Sequence, residues 1–402
     1  MNWFRVIYLE FSKSDLPLQS LVIDSKFQEA LKVYRTAGSV LFMSYCRFWE
    51  QHGFVQQALA RLLSDSGVDV TWLDGSGWRH YEPTVKNPVG NLHVRQMPEL
   101  PLRRFNSVDL ADIDRKKNFL KKYFANGKKP IVWIQGGIDE RLADFLPYVD
   151  VFSVFDDPYR HDPRGMLSQK ANVIICQNTF SKNLYASAQS QKVFHLFPPM
   201  DLTKEEASNA YESMAAIQFP DGFPEKVMGY IGSFFTAGFD FDLFEAFMLR
   251  HKDWGFLLAG RTDAEGIQRM ENWKHHKNFF SVGWMPNDRL APLWRKLQLS
   301  LLFYKENKSQ DGAFPVKVLD GLKYGVPAIA TRVPKTEDLA EYFPLGENIE
   351  ALSLGVQQAL DISKARRSEI FQKLLASMDP VAHLTTVAEM LRLTVEKRSS
   401  IP

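Results

Sequence analysis

Short apolar runs alternate with helix-like segments along most of this 402-residue chain, from about residue 39 onward. Alternation of this kind is typical of buried parallel strands in an α/β domain. Six runs form a first set, at 39–44, 68–73, 131–134, 149–155, 172–177 and 192–197. Five more form a second set, at 226–231, 255–259, 278–282, 297–303 and 327–331. The pattern therefore predicts two parallel sheets, one after the other along the chain.

A polar, proline-containing segment separates the two sets of strands. It reads PPMDLTKEEASNAYESMAAIQFPDGFPE and has no strand pattern, as expected of a linker. We place a boundary near residues 200–225 and predict two Rossmann-like domains, residues 1–205 and 206–402, whose sheets can face one cleft at their carboxyl ends. After residue 331 only helices are predicted, and the last, VAHLTTVAEMLRLTVEKR, is a candidate to cross back to the first domain. No element is predicted over residues 1–36.

Chain length and composition agree with this prediction. A single core stops growing at roughly 250–300 residues, and this chain has 402 residues, of which 45% are apolar and 24% charged. No run reaches the ~20 uninterrupted apolar residues that a membrane helix needs, and the amino terminus lacks the residue order of a signal peptide. We expect a globular protein of the cytoplasm whose two cysteines, Cys46 and Cys176, are buried and reduced.

The charge balance gives no reason to predict nucleic-acid binding, because 49 basic and 47 acidic residues leave a net charge of +2. Two basic pairs, Lys121 with Lys122 and Arg366 with Arg367, are candidates for contact with anionic lipid headgroups. A solvated helix face is the more common role of such pairs. Peripheral contact with the inner face of the cell membrane is therefore a hypothesis.

The segment FPVKVLDGLKYGVPAIAT contains the most specific local pattern. A short helix over VKVLDGLKY is predicted, with Pro315 at its start and Gly325 in the left-handed conformation at its end. Lys317 and Asp320 are three residues apart and share a helix face. A cation and a carboxylate there could hold a phosphate and a ribose hydroxyl, whereas a surface ion pair is the alternative.

The longer run LLFYKENKSQDGAFPVKVLDGLKYGVPAIAT resembles the nucleotide-sugar site of GT-B glycosyltransferases, in particular the glycosyltransferase family 4 type of bacterial surface polysaccharide synthesis. In that family a strand ending in Pro-Tyr precedes a polar loop, P-x-K-x-x-E and G-x-P-V-V-A-T. Asp320 replaces the usual Glu, and the second acidic position of the family falls on Gly312. The resemblance places the donor on Lys305, Asn307, Gly312, Ala313, Pro315, Lys317 and Asp320, with Gly312 and Ala313 offering backbone N–H groups.

The resemblance continues through the second domain. GYIGSFFTAGFDFDLFEAF is similar to the opening strand and glycine turn of the family, which implies that Gly232 and Ser233 approach the donor diphosphate. The Arg and Lys that many relatives carry after this turn are missing, so Lys305 or Lys317 would have to neutralise the diphosphate. FLLAGRTD, with Gly260, and NFFSVGWMPNDRLAPLW follow in family order, the latter reading the base near Trp284 and Met285.

In the first domain, SYCRFWEQHGF resembles the acceptor-side loop of the family, which would be lined by Trp49, His52 and Gly53. The sequence VFSVFDDPYRHD resembles a strand end with paired acids, and Asp156 and Asp157 are the candidate catalytic residues. Glycosyl transfer needs a base or a charge stabiliser near the acceptor hydroxyl. Because successive strand residues point oppositely, one of the two can serve. We prefer Asp157, with a helix N-cap as its alternative role. A further candidate is His161.

No metal site and no cofactor are predicted. FDFD at 239–242 and DID at 112–114 contain Asp-x-Asp, a triplet that arises easily by chance, and the chain has no phosphate-binding Gly-x-x-x-x-Gly-Lys loop and no Cys-x-x-Cys pair. The resemblance implies transfer of a sugar, with a UDP-sugar as the expected donor, to a glycan or lipid-linked acceptor with retention of configuration. The alternatives are a GT-B sugar-nucleotide epimerase and an inactive GT-B protein that binds a glycan or a partner.

Overall fold

The computed structural model of the chain describes residues 25–44, 56–74, 91–97, 106–125, 127, 129–136, 138–154, 156–189, 192–199, 218–285, 289–308 and 310–399. These residues form two parallel β-sheets, each with helices packed on its faces. The prediction of two Rossmann-like parallel-sheet domains is therefore confirmed.

The first sheet has seven parallel strands in the order β3-β2-β1-β4-β5-β6-β7. They are β1 (Ser39–Ser44), β2 (Asp69–Asp74), β3 (Leu92–Gln96), β4 (Ile131–Gln135), β5 (Val149–Val154), β6 (Ala171–Cys176) and β7 (Val193–His195). The helices of this part are α1 (Ser25–Thr36), α2 (Gln56–Asp65), α3 (Asn106–Phe124), α4 (Pro158–His161), α5 (Met166–Lys170) and α6 (Thr179–Gln189), and the 3₁₀ helix Glu140–Phe145 follows β4.

The second sheet has six parallel strands in the order β10-β9-β8-β11-β12-β13. They are β8 (Val227–Ile231), β9 (Gly255–Ala259), β10 (Phe279–Val282), β11 (Leu299–Leu302), β12 (Ala328–Thr331) and β13 (Leu345–Gly346). The helices are α7 (Phe241–Arg250), α8 (Ala264–Trp273), α9 (Ala291–Trp294), α10 (Lys317–Lys323), α11 (Ile349–Leu360), α12 (Lys364–Ser377) and α13 (Pro380–Ser399), and the 3₁₀ helix Pro334–Leu339 follows β12.

Large aromatic side chains fill the cores on the sheet faces. In β1, Phe42 stacks between Trp72 and Trp133 with ring centroids 5.5 and 5.2 Å away, whereas Leu41 and Met43 point to the opposite face of the same sheet. Each fully buried side chain of this size contributes roughly 1.5–3 kcal/mol relative to an exposed one. The first sheet is therefore covered on both faces, which explains why its strands are continuous apolar runs.

The last helix of the chain packs on the first sheet. Leu384 and Leu391 of α13 are fully buried in the core on one face of that sheet, and the hydroxyl of Tyr34 in α1 donates to the backbone oxygen of Leu384 at 2.8 Å. Near the end of α13, Arg398 donates to both carboxylate oxygens of Asp150 in β5, at 2.6 and 3.0 Å. The chain thus returns from the second sheet and completes the core of the first.

Several smaller expectations can be compared with the structure. Cys176 is buried, and burial raises the pKa of its thiol, whereas Cys46 lies outside the described residues. Lys121 and Lys122 are exposed on α3. Arg367 instead donates to three backbone oxygens near the ends of α10 and α11, at 2.7–2.9 Å, so its charge stabilises helix ends.

Among the described helices, none has the length and hydropathy required to span a bilayer.

Candidate active site between the two sheets

Loops that follow the carboxyl ends of strands in both sheets touch one another. The backbone N–H of Gly312, after β11, donates to the backbone oxygen of Asp156, after β5, at 3.0 Å. The side-chain amide of Asn178, after β6, donates to the backbone oxygen of Asp311 at 2.6 Å. The carboxyl ends of the two sheets therefore face a shared junction, the position at which open α/β sheets bind ligands.

A carboxylate of the second domain caps a helix of the first. Asp338, in the 3₁₀ helix after β12, accepts hydrogen bonds from the backbone N–H and the hydroxyl of Thr179 at 2.9 and 2.6 Å. Thr179 is the first residue of α6, where backbone N–H groups lack partners in the helix and the dipole favours an anion. His195 has Nε2 3.8 Å from the Asp338 carboxylate. These contacts hold the two sheets in the observed arrangement.

The two adjacent aspartates after β5 have different environments. Asp157 is the N-cap of α4, because its carboxylate accepts from the backbone N–H of Arg160 at 2.9 Å. Asp156 is half-buried at the junction, and its carboxylate accepts from the N–H of Asp157 at 2.9 Å. Burial is the largest influence on Asp156 and raises its pKa to about 6. The sequence favours Asp157 over Asp156 as the catalytic residue. In the structure, Asp157 caps α4 and Asp156 lies at the junction.

A buried lysine that the sequence did not single out contacts Gln310, in the loop whose Gly312 contacts Asp156. Lys335, in the 3₁₀ helix after β12, is only 6% exposed. Its Nζ lies 3.9 Å from the centroid of the Tyr304 ring and donates to Oε1 of Gln310 at 3.2 Å. Burial lowers the pKa of Lys335 to about 8, although the charges of Asp311 and Asp156 raise it. Lysine is usually exposed in proteins. The sequence signal for a functional role of Lys335 is therefore only its position after the carboxyl end of a strand.

The helix predicted from FPVKVLDGLKYGVP is present as α10. Lys317 and Asp320 lie on the same face and form an ion pair with Nζ and Oδ2 2.9 Å apart, both about a quarter exposed. Gly325 ends the segment with φ of +75°, the left-handed conformation expected of it. Pro315 precedes the helix and accepts from the N–H of Val318 at 3.1 Å. Lys317 and Asp320 thus form the ion pair of one prediction. Their partial exposure also leaves both side chains accessible to a ligand, as the other prediction requires.

The ends of β8 and β9 approach one another by backbone alone. The N–H of Gly232 donates to the backbone oxygen of Ala259 at 2.8 Å, and a Cβ added to Gly260 would lie 1.8 Å from the backbone oxygen of Gly232. Ser233, the next residue, is exposed, and its backbone oxygen accepts from the Tyr230 hydroxyl at 3.1 Å. The close approach of the two backbones therefore explains why glycine occupies these positions, whether or not a ligand binds there.

Gly260→Ala is expected to lower the free energy of unfolding by about 2–3 kcal/mol, because the new methyl group overpacks a backbone contact at a φ of +142°. The matched control is Gly283→Ala, at the end of the neighbouring strand β10, where an added Cβ meets no described atom within 4 Å. Urea unfolding of both variants measures the difference. Equal stability of the two variants would mean that the β8 and β9 ends are farther apart than they are here.

The polar loop after β11 is held by its own hydrogen bonds. Asn307 donates from its side-chain amide to the backbone oxygen of Ala237, and the N–H of Lys305 donates to the backbone oxygen of Gly238 at 3.0 Å. The N–H of Gly312 is used by Asp156, and that of Ala313 donates to Gln310 at 3.0 Å. Both N–H groups therefore have backbone partners here, and the expectation that Gly312 and Ala313 supply N–H groups to a sugar stays a prediction.

The remaining predicted residues lie at the ends of β9 and β10 or outside the described part of the chain. Trp284 is 49% exposed and has the guanidinium of Arg261 4.6 Å from its ring centroid, and Met285 packs against the core below it. The predicted acceptor-side residues Trp49, His52 and Gly53 lie outside the described residues, and so does the side chain of His161. Within the described residues, no group of three His, Cys, Asp or Glu side chains could hold a metal ion.

Comparison with known proteins agrees with this architecture. Residues 225–359, which include the whole second sheet, match the family model described as Glycosyl transferases group 1. A Bacillus subtilis (strain 168) protein described as "Putative teichuronic acid biosynthesis glycosyltransferase TuaH" is 22% identical over 176 residues. That similarity covers 42% of this chain and only 43% of the relative.

Solved structures extend the likeness to both sheets. The α,α-trehalose 6-phosphate synthase from Burkholderia multivorans aligns with a TM-score of 0.65 and 12% identity, over 90% of this chain and 100% of that one. HepE from Anabaena in complex with UDP aligns with a TM-score of 0.57 and 10% identity, over 89% of this chain and 100% of that one. The chain has the two-domain, parallel-sheet GT-B fold of these structures, and its second sheet lies in the segment that matches the glycosyl transferases group 1 model.

Proposed function

We propose that this protein is a glycosyltransferase that transfers a sugar from a nucleotide-sugar donor to a glycan or lipid-linked acceptor. The observation that carries the proposal is the contact of the Asp156 segment of the first domain with Gly312 of the glycosyl transferases group 1 domain. A donor held on the second sheet and an acceptor held on the first would meet at this contact. The description of the Bacillus subtilis relative as a teichuronic acid biosynthesis enzyme supports surface polysaccharide synthesis, and the UDP complex of HepE supports a UDP-sugar donor.

The donor half of the site is proposed at the carboxyl ends of β8 to β11. Trp284 and Arg261 offer an exposed ring and a guanidinium to a base. The backbone at Gly232 and Gly260 has no side chain to obstruct a diphosphate. Asp320 can accept two ribose hydroxyl hydrogen bonds once Lys317 turns from it toward a phosphate. Every group in this scheme is a side chain or backbone of the chain, so we propose that no metal or other cofactor is required.

The acceptor half of the site is proposed at Asp156. A carboxyl group with a pKa near 6 is ionised at neutral pH but is a stronger base than an exposed aspartate. It can therefore take the proton of an acceptor hydroxyl, or stabilise positive charge that develops on the transferred sugar. The first role leads to inversion of the anomeric configuration and the second is compatible with retention, as the family resemblance implies. Proton NMR of the first product anomer distinguishes the two roles.

A thermal-shift screen tests the proposed donor site. UDP, GDP, ADP, CMP and their common sugars are added to wild type and to Asp320→Ala, and one nucleotide class is expected to raise the unfolding midpoint of wild type by mass action. Asp320→Ala should lose most of that shift, because ribose hydroxyls lose their acceptor. The matched control is Glu271→Ala, which removes an i,i+3 ion pair of the same kind, with Lys274, at the far end of α8. EDTA should leave the shift unchanged.

The outcomes separate the proposal from its alternatives. Donor hydrolysis or transfer together with the shift supports a glycosyltransferase. Binding of a nucleotide without any turnover supports the inactive GT-B protein, and conversion of a UDP-sugar into its epimer supports the epimerase. A shift that Asp320→Ala keeps would place the nucleotide elsewhere. If no nucleotide raises the unfolding midpoint, the proposed donor site is contradicted.

A further inference from the structure

The carboxyl edge of the first sheet carries a row of buried polar side chains on one face. Ser44 and Gln135 are the last residues of β1 and β4, and Ser153 lies one residue before the end of β5. Gln135 is in register with Ser153, and Ser44 directly follows the last residue of β1 that pairs with β4. Two residues earlier, Phe42 and Trp133 belong to the core on that face. The row is therefore the polar rim of an aromatic core, at the edge that faces the second sheet.

The strands β1 and β4 are neighbours in the sheet although two strands separate them in sequence. The chain adds β2 and β3 on one side of β1, and β4 to β7 on the other. The strand order thus reverses between β1 and β4, and open α/β sheets bind ligands outside the carboxyl ends of their strands at such a point. Ser44 and Gln135 end the two strands that form it. The position of the row therefore indicates a ligand site.

The side-chain amide of Gln135 has N–H donors that the described part of the protein does not use. Its Oε1 accepts from the Ser44 hydroxyl at 2.8 Å, which also fixes the direction of Nε2. Gln135 is 1% exposed, and among the described residues no group accepts from its buried Nε2. Burial of an amide donor is unfavourable unless the donor meets an oxygen. The neighbouring Ser153 differs, because its hydroxyl oxygen accepts from Nε1 of Trp133 at 2.8 Å. Of these two, it is Gln135 that has N–H groups left for a ligand.

Two more buried polar atoms at this edge have no hydrogen-bond partner among the described residues. They are Oε1 of Gln56, at the start of α2 after β1, and Oγ of Ser181, in α6 after β6. A Cβ added to Gly312 would lie 2.7 Å from Oγ of Ser181 and 2.9 Å from the backbone oxygen of Asp156, so this edge adjoins the candidate catalytic residue. An amide donor, an amide oxygen and a hydroxyl together complement a ligand rich in hydroxyl groups, because each hydroxyl both donates and accepts.

We propose that the Gln135 amide, oriented by Ser44, donates a hydrogen bond to a hydroxyl oxygen of the acceptor sugar and thereby selects the acceptor. This inference deepens the function proposed above and rests on it. The acceptor is then a saccharide that places one hydroxyl at the end of β4 and the reacting hydroxyl at Asp156. An oxygen that meets the buried amide does so away from water, where a hydrogen bond is electrostatically stronger. A sugar without that oxygen leaves the amide unpaired and binds poorly.

Unfolding in the absence of ligand separates a binding role from a structural role. Ser44→Ala combined with Gln135→Met removes the hydrogen-bonded pair together with the unused donors. The equilibrium constant for unfolding in urea should equal that of wild type or be up to about tenfold smaller, because replacing both partners by apolar groups is neutral or stabilising. The control Ser153→Ala, in the same row, leaves Nε1 of Trp133 unpaired and should raise the constant about fivefold or more. A rise of about tenfold or more in the double variant would make the pair structural and overturn the proposal.

Acceptor kinetics test the hydrogen bond itself. The probes are the octyl glycosides of glucose, galactose and N-acetylglucosamine, together with the nucleotide-sugar that the thermal-shift screen selects. Gln135→Met should raise the KM for the acceptor probe about tenfold or more, with a much smaller effect on kcat, because the contact is made before as well as during transfer. The matched control is Gln268→Met on the exposed surface of α8, which should keep the wild-type KM.

Monodeoxy versions of the best octyl glycoside identify the bonded hydroxyl. Besides the version that lacks the reacting hydroxyl, one version should lose about tenfold or more in kcat/KM with wild type, because it leaves the Gln135 amide unpaired. Gln135→Met should use that version and its parent equally well, within about twofold, because the partner of the missing oxygen is gone. A change of packing alone would not abolish the preference for one hydroxyl.

The kinetic outcomes keep this inference apart from the proposed function. If wild type transfers sugar and Gln135→Met keeps both the wild-type KM and the wild-type preference among the deoxy probes, the inference alone is overturned. If wild type consumes the donor but uses none of the octyl glycosides, a sugar hydroxyl is not the ligand of the amide, and the inference is again overturned. If wild type consumes no nucleotide-sugar, the proposed function is contradicted, and the inference with it.

Discussion

Asp156→Asn is expected to lower the rate of sugar transfer by about 10²–10⁴-fold, the usual contribution of a positioned base. The amide has the shape of the carboxylate and an oxygen that can still accept from the N–H of Asp157. It can neither take a proton nor carry a negative charge. The backbone contact of residue 156 with Gly312 does not involve the side chain. Initial rates of donor consumption measure the loss, and thermal unfolding shows that the variant is folded.

The pH dependence of the wild-type rate follows from the same residue. Asp156 must be ionised to act, and its pKa in the folded protein is about 6. The rate should therefore be constant above that pH and fall about tenfold for each further unit of acidity below it. Stability has the opposite pH dependence. The pKa of Asp156 in the folded protein lies above its ordinary value of 3.8, so its ionisation lowers the free energy of unfolding as the pH rises from 3.8 through about 6. Asp156→Asn should remove both effects.

Asp157 supplies the control for this prediction. Asparagine caps helices about as well as aspartate, so Asp157→Asn should have a rate and a stability close to those of wild type. Asp157→Ala should lose about 0.5–2 kcal/mol of stability through the missing cap and keep most of its turnover. If Asp157→Asn loses activity and Asp156→Asn keeps it, the roles assigned to the two aspartates are reversed; if both lose it, both carboxylates are required.

The fold was predictable because its strands are buried on both faces. Each of the eleven predicted runs overlaps a strand, since a parallel strand covered by helices must be apolar throughout. β3 was missed because it is an edge strand in which buried Leu92 and Val94 alternate with exposed His93 and Arg95. The two-residue β13 is too short to leave a pattern, and its presence corrects the expectation that only helices follow residue 331. The helix α1 was also missed, within the span 1–36.

The candidate site was predictable where a single segment forms it, and not where two segments meet. The helix α10, the Lys317–Asp320 pair and the left-handed Gly325 follow from spacing along one stretch of chain. The choice between Asp156 and Asp157 depended on a turn after β5 that no periodicity reveals. Lys335 was missed for the same reason, because it contacts residues 25 and 31 positions away in sequence, Gln310 and Tyr304.

Arg398→Met is expected to lower the free energy of unfolding by about 3–5 kcal/mol, the usual effect of leaving one buried charge of an ion pair without its partner. The carboxylate of Asp150 has no exposed surface. It accepts from Arg398 at 2.6 and 3.0 Å, from the N–H of Val132 at 2.9 Å and from the amide of Asn172 at 3.2 Å. The two remaining hydrogen bonds do not neutralise its charge. Urea unfolding measures the loss.

Two further variants show whether the buried charge is the cause. Arg366→Met removes the exposed i,i+3 partner of Glu369 on α12 and should change stability by no more than about 0–1 kcal/mol. Adding Asp150→Asn to Arg398→Met removes the unpaired charge and should restore much of the lost stability. A small effect of Arg398→Met would mean that the end of α13 is not anchored on β5. The large effect would show that the core of the first domain depends on the last turns of the chain, so that this domain cannot be complete until the second has been made.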